Sequence, residues 1–323
     1  MVKTEQIDNL DKRILYELDL NSRASASQIA RKLRVSKETV NFRIQRLLKR
    51  GYISNFYTIF NTSKLGSFYY KVFVKFGKIT PRIESEIISF IRNQNNCAYL
   101  CSCEGPYDII FLIMVENNDQ FHNFLIKFKE KFGDYVFDKN FHIVINTHKL
   151  NQKFLYLGQS RKHSFYQGDI KKEDYDKIDL RIMKIISNNA RISLVEIGEK
   201  LNLDPKVVKY RIKNLEKKGI IIAYTTALNF DKLGFEFFQI NFVLKDVKLI
   251  PQIINFFDNT NKCLFALELL GKYDLTIELH VENDKVLRDI MDKFKLEFQE
   301  KFIDYDLFNI YKEYLMTWSA FEE

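Results

Sequence analysis

The chain has 323 residues, 46% of them hydrophobic, 15% aromatic and 28% charged, which is enough for two to four compact units with ordinary cores. Its net charge of +8 favours an anionic partner without identifying one. No apolar run approaches the roughly 18–20 residues of a membrane span, and the polar start MVKTEQIDNLDKR lacks the apolar region of a signal peptide; a cytoplasmic protein is expected.

The charge is uneven. Residues 1–160 hold 24 Lys and Arg against 15 Asp and Glu, whereas residues 161–323 hold 26 against 27. If both halves touch DNA, the first supplies more of the sequence-independent attraction.

In chain order, residues 9–20 and 25–33 repeat apolar positions at three and four, the helical period. Ser36 then caps a third helix, SKETVNFRIQRLLKRG, which ends at Gly51. YISNFYTIF, rich in β-branched and aromatic residues, is expected to form a short wing hairpin. FYYKVFVKF reads as a strand, 80–94 as a helix, and CAYLCSCE and YDIIFLIMV as a hairpin around Gly105-Pro106. A helix over 118–132 and the strand YVFDKNFHIVI follow. This order is that of a ferredoxin-like βαββαβ sandwich, so the fold class is α+β.

The pattern then starts again. DKRILYELDLNSRASASQIARKLRVSKETVNFRIQRLLKRGYI aligns without a gap on DLRIMKIISNNARISLVEIGEKLNLDPKVVKYRIKNLEKKGII, placing Asp11 on Asp179, Arg23 on Arg191 and Arg43 on Arg211. After a two-residue slip EGPYDIIFLIMVEN answers to LGKYDLTIELHVEN, so a two-domain module of roughly 140 residues is used twice. The boundaries read as a winged helix-turn-helix over 1–62, an α+β domain over 63–150, a linker over 151–175, a second winged helix-turn-helix over 176–230 and a second α+β domain over 231–323.

On the third helix Val40, Ile44 and Leu47 form the inward stripe, with Lys37 at its edge, and Glu38, Thr39, Phe42, Arg46 and Lys49 stand opposite. Its counterpart turns Val208, Ile212 and Leu215 inward and Lys206, Val207, Tyr210, Lys213 and Lys217 outward. An outward aromatic that recurs in both copies is the informative feature. Thr39, Phe42, Val207 and Tyr210 can touch thymine methyls, Glu38 can accept from cytosine N4, and Lys206 can bond guanine. Arg46, Lys49, Lys213 and Lys217 fall where such a helix climbs towards phosphates. Ser36 and Lys37 open the third helix of the first copy. Arg43 and Arg211 flank the apolar stripe, a place suited equally to a buttressing ion pair and to a phosphate contact.

Cys97, Cys101, Cys103 and Cys263 make no disulfide framework, and no Cys/His set at metal spacing completes a site. Buried thiols, with neither metal nor cofactor, are expected.

The sequence Leu/Ile-Asp, Ile-Leu, Asn-x-Arg-x-Ser, Ile-Ala/Gly, the third helix with Arg-Ile and the closing Gly-x-Ile resembles the Lrp/AsnC family of prokaryotic transcription regulators. GPYDIIFLIMVEN and GKYDLTIELHVEN resemble the Gly-x-Tyr-Asp segment of that family's ligand-sensing RAM domain. The resemblance implies a non-enzymatic regulator that binds double-stranded DNA and forms homo-oligomers through its RAM-like domains. It also implies an amino-acid effector near Gly105, Tyr107, Asp108, Gly271, Tyr273 and Asp274. Typical members carry one module per chain and a threonine-bearing last strand, which DKNFHIVI and IDYDLFNIY lack. The tandem suggests a single-chain pseudo-dimer with two unlike reading helices. Two alternatives stand beside it: an enzyme similar to the sirohaem decarboxylases, whose site would need His and Arg side chains around an anionic tetrapyrrole, although His122, His142, His148 and His163 lie in the first copy and only His280 in the second, and an assembly or sensing protein whose second helical domain no longer binds DNA.

Overall fold

A computed structural model of the protein describes residues 7–150, 155, 164–166 and 170–317. In the first copy α1 (Asn9–Leu20), α2 (Ala26–Leu33) and α3 (Lys37–Lys49) precede β1 (Ile53–Phe60). The short α4 (Thr62–Leu65) leads into β2 (Phe68–Phe76), α5 (Pro81–Arg92), β3 (Cys97–Glu104), β4 (Ile109–Val115), α6 (Asn118–Phe132) and β5 (Val136–Lys149). β6 (Ser164–Tyr166) joins the sheet beside β5. The second copy repeats the series as α7 (Lys177–Ser187), α8 (Leu194–Leu201), α9 (Pro205–Lys217), β7 (Ile221–Leu228), α10 (Phe230–Leu233), β8 (Glu236–Leu244), α11 (Ile250–Asn259), β9 (Cys263–Leu270), β10 (Leu275–Val281), α12 (Asp284–Phe298) and β11 (Phe302–Met316). No helix among the described residues is long and apolar enough to cross a membrane.

Local chemistry explains the helix starts. Asp8 and Asp176 accept from the backbone N–H three residues on while Asp11 and Asp179 reach back to theirs, and Ser25/Gln28 and Ser193/Glu196 do the same for α2 and α8. Each α3-type helix is stopped by a glycine in the left-handed region, Gly51 at φ +69° and Gly219 at φ +71°.

The described residues fall into two compact units that regroup the copies. The first unit takes its helices from 7–60 and 175–235, so that both three-helix domains belong to it. Its core joins Ile14, Leu15, Leu18, Ile29, Leu33, Val40, Ile44 and Leu47 to Ile53 and Phe56 and, from the other copy, Ala190 and Leu228.

The wing hairpins expected after Gly51 and Gly219 do not form. Each run makes one strand, β1 or β7, and the two strands pair antiparallel with each other, Tyr57 opposite Thr225 and Phe56 opposite Thr226. Neither run contains an Asn-Gly type of turn to fold it back on itself. The unpaired N–H and C=O groups of each are satisfied by its counterpart instead.

Among the described residues, the second unit holds 61–149, 165–166, 170–174 and 236–317. Each copy contributes four strands in the order expected of the βαββαβ sandwich, β3-β4-β2-β5 and β9-β10-β8-β11, and the two sets meet at β11–β3 and β5–β9. Because β2 also pairs with β5, the eight strands close into an antiparallel barrel. The long strands β5 and β11 make this possible: the first half of each pairs within its copy and the second half with the other. In the first copy, α5 and α6 pack Ile87, Ile91, Phe121, Phe124, Phe128 and Phe132 against Val72, Val74, Phe111 and Ile113 on one face of the sheet.

Alternate residues face the barrel interior, where the Phe73 ring lies 5.2–5.7 Å from Tyr107, His142, Tyr273 and Phe308. All four cysteines are buried and free, and burial pushes the Cys97 and Cys103 thiols up to about 12. Part of the stretch read as a linker is ordered against the first copy: the Lys171 and Glu173 N–H groups donate to the carbonyls of Ser63 and Lys64.

Candidate nucleic-acid interface

α3 and α9 follow turns in which Arg34 and Asn202 sit in the left-handed region, at φ +58° and +55°. Ser36 Oγ accepts from the Thr39 N–H at 3.0 Å, and the Ser36 and Thr39 hydroxyls lie 2.8 Å apart. Ser36 is thus the N-cap that sets the helix start, and Thr39 is partly engaged with it. In the second copy the Asp204 carboxylate caps through the Lys206 N–H at 2.7 Å, with Pro205 at the first helical position.

Val40, Ile44, Leu47, Val208, Ile212 and Leu215 are buried, as the helical stripe requires. The outer faces carry the two aromatics in the open, Phe42 at 65% exposure and Tyr210 at 71%. Glu38 and Lys49 are exposed on the face of Phe42, and Val207, Lys206, Lys213 and Lys217 on that of Tyr210; Lys37 is exposed at the edge of the apolar stripe. Two further exposed residues, Asn41 and Lys209, stand on these faces. The helical wheel signals them only weakly, because both adjoin the apolar stripe. Asn41 has the amide that pairs with adenine, and Lys209 fills the gap in a run of four lysines along α9.

The arginines flanking the stripe act as buttresses. Arg43 Nη1 donates to Asp8 and, at 3.1 Å, to Asp11; Arg211 Nη1 donates to Asp176 at 2.8 Å and Asp179 at 2.9 Å. The hydrogen bonds to Asp8 and Asp176 hold both guanidiniums above their ordinary value. Desolvation alone would raise the Asp8 carboxyl, but Arg43 brings it below the usual range; the Asp179 N–H and Arg211 do the same for Asp176. Arg46, expected to point outward to phosphate, instead donates to Asp11 at 2.6 Å. The fully buried Asp11 carboxylate attracts its guanidinium back across the helix.

The two domains are tied to each other by residues that the repeat alignment pairs but to which it assigns no task. Arg23 donates to the Ala190 carbonyl at 2.6 Å, and Arg191 donates to the carbonyls of Ala24, at 2.9 Å, and Ser22. Arg191 lies over the Phe56 ring and Arg23 over the Tyr224 ring, 5.3 and 5.4 Å from the centroids. The Ser22 N–H to Tyr224 O and Ala190 N–H to Phe56 O bonds complete the matching pairs. One three-helix domain thus faces its copy much as two subunits of a symmetric dimer would.

The six effector-region residues lie in the barrel and support its own structure. Asp108 accepts from the Phe76 N–H and Lys75, both at 2.7 Å; Asp274 accepts from the Leu244 N–H at 2.8 Å. The buried Tyr107 hydroxyl donates to Asp138 at 3.0 Å, and that of Tyr273 donates to Asp306 at 2.5 Å. Gly105, at φ +146°, and Gly271 leave room for the neighbouring strands β11 and β5: a Cβ would meet Leu307 O at 2.7 Å in one case and His142 Cδ2 at 2.5 Å in the other.

A family model described as winged helix-turn-helix DNA-binding matches the chain twice, over residues 7–54 and 175–222. The regulator LrpB of Bacillus subtilis is 30% identical over 117 residues, covering 36% of this chain and 78% of that protein. The chain belongs to the Lrp/AsnC family of transcription regulators. An uncharacterized HTH-type regulator of Pyrococcus furiosus is 34% identical over 120 residues, 37% of this chain and 80% of its own. Such relatives match one module each, and this Lrp/AsnC protein is a tandem of two. The tandem fold has a solved counterpart in the siroheme decarboxylase NirDL, with a TM-score of 0.65 over 96% of this chain and 93% of that one. At 11% identity the likeness is one of fold.

Proposed function

We propose that the chain is a sequence-specific DNA-binding transcription regulator in which one polypeptide does the work of a family dimer, reading double-stranded DNA with two unlike helices. The observation that carries it is the reciprocal joint of the first unit, Arg23 to Ala190 and Arg191 to Ala24 about the β1–β7 ladder, which keeps α3 and α9 in one body with their outer faces in the open. Phe42 with Glu38 and Asn41 on one helix, and Tyr210 with Val207 and Lys206 on the other, offer different chemistry to a major groove. Unlike helices call for an asymmetric operator, with half-sites about one helical turn, roughly 10 base pairs, or a multiple apart. Footprinting tests this. Protection of two identical half-sites overturns distinct reading, and the absence of salt-sensitive binding overturns the function.

The reading includes no catalysis. Of the histidines a tetrapyrrole enzyme would draw on, His142 uses Nε2 to accept the Tyr273 N–H, and burial holds it down to about 4. His280 is buried against Phe237 and held to about 3, His122 is exposed on α6, and His148 meets Glu268 at 2.7 Å. His163 lies outside the described residues. Absorbance after incubation with a tetrapyrrole distinguishes the readings, a shifted Soret band favouring the enzyme. Asp108 and Asp274 already bind backbone N–H groups, so no amino-acid effector is assigned to them. Further assembly of chains would use Phe137 and Ile303, matching residues of β5 and β11 that are 80% and 63% exposed; light scattering measures it.

A further inference from the structure

The barrel repeats its backbone but not its inner side chains. Lys71 on β2 and Gln239 on β8 occupy matching positions, and so do their ladder partners, Leu112 on β4 and Glu278 on β10. Lys71 is fully buried and reaches across the interior, donating to Gln239 Oε1 at 2.8 Å with Glu278 Oε1 at 3.7 Å. Gln239 Nε2 in turn donates to Asn241 Oδ1, which also accepts from Thr276 Oγ1 at 2.7 Å. Among the described residues, the polar set around Lys71 thus takes its ammonium from the first half and its carboxylate, Glu278, and two amides, Gln239 and Asn241, from the second. Desolvation pushes the Lys71 ammonium down and the Glu278 carboxyl up, as expected of groups that depend on each other for their charge.

The seams differ as well. At β5–β9 His148 pairs with Glu268; at the matching β11–β3 seam the corresponding residues are Tyr314 and Ser102, at 3.1 Å. A first half joined to a copy of itself would set Lys71 against Lys71 with Leu112 where a carboxylate is needed. A second half joined to itself would bury two Glu278 carboxylates with Gln239 in each place where Lys71 is needed. Uncompensated buried charge is strongly unfavourable, and such repulsion is how interfaces reject wrong partners.

We infer that the two barrel halves are heterospecific: Lys71, Gln239 and Glu278 make the first half pair with the second and reject a copy of itself. Every barrel therefore carries one module of each kind, whether or not the chain binds DNA.

The test uses the whole folded chain with a protease site introduced between residues 156 and 163. After cleavage the fragments are separated in urea, refolded together and weighed by native mass spectrometry. Heteropairs are expected to exceed self-pairs at least roughly tenfold relative to random assortment. In Lys71→Met/Glu278→Leu, which removes both charges at similar volume, self-pairs rise towards the random share. Random assortment in the parent chain, or undiminished selectivity in the double variant, overturns the inference. In the uncut chain Gln239→Lys sets two ammoniums face to face and lowers Tm. Adding Lys71→Gln restores it, because the new lysine stands opposite Glu278; equal losses in both variants also overturn it.

Discussion

Arg211 donates to Asp179 at 2.9 Å, joining the candidate reading helix of the second copy to the first turn of that copy's first helix. The same guanidinium reaches Asp176, and Arg43 repeats the pattern with Asp8 and Asp11. Arg43→Ala and Arg211→Ala are therefore expected to lower stability by roughly 1–2 kcal/mol each, the worth of charged hydrogen bonds at partly exposed sites. Denaturant titration checks the loss. The salt slope of DNA binding should stay as it was.

The lysines of α9 should behave in the opposite way. Lys206→Ala, Lys213→Ala and Lys217→Ala are exposed changes expected to leave the unfolding midpoint within about 0.5 kcal/mol. Each should reduce the log–log salt slope of binding by about 1 if it meets a phosphate. An unchanged affinity in the triple variant would mean that the second helical domain has lapsed as a reader.

Phe42→Ala and Tyr210→Ala remove the two most exposed aromatics of the reading faces. Little stability should be lost, while selection from a random DNA library should relax at one base step for each variant, by about 1–3 kcal/mol of discrimination. If the aromatics instead cover another protein surface, the preferred sequence will be unaltered.

Glycines separate open turns from crowded ones. Gly219→Ala meets nothing within 4 Å and is opposed only by its φ of +71°, so a loss of about 1 kcal/mol is expected. Gly105→Ala adds a clash with the Leu307 carbonyl and should cost distinctly more, roughly 2 kcal/mol or above. Thermal melts of the two variants rank them.

Acid should weaken the barrel before it titrates ordinary carboxylates. The folded values of His142, about 4, and His280, about 3, lie below the usual 6.5. The unfolded chain therefore binds more protons in between. Their contribution is complete above pH 6.5 and is lost progressively as pH falls from 6.5 to about 4 and below. A His142→Gln variant should show a shallower decline of Tm over that window.

The sequence by itself determined the duplication, the three helices of each copy, the cap and glycine stop of the third, the βαββαβ order and the outward aromatics. The duplication is written in a self-alignment 168 residues apart, and the rest in local periodicity and in short-range hydrogen bonds between near neighbours. Tertiary structure alone decided where the partners from distant segments lie. The run after Gly51 has the composition of a wing, yet its ladder partner is 168 residues further on, at Thr225 opposite Tyr57. Arg46 looks outward on a helical wheel, yet a buried carboxylate from another helix holds it. Lys71 reads as one polar residue on a strand; only barrel closure sets it against Gln239 and Glu278. Phe42 and Tyr210 were legible because exposure on a helix depends on its own apolar stripe, whereas an ion pair depends on what the rest of the chain brings within a few ångströms.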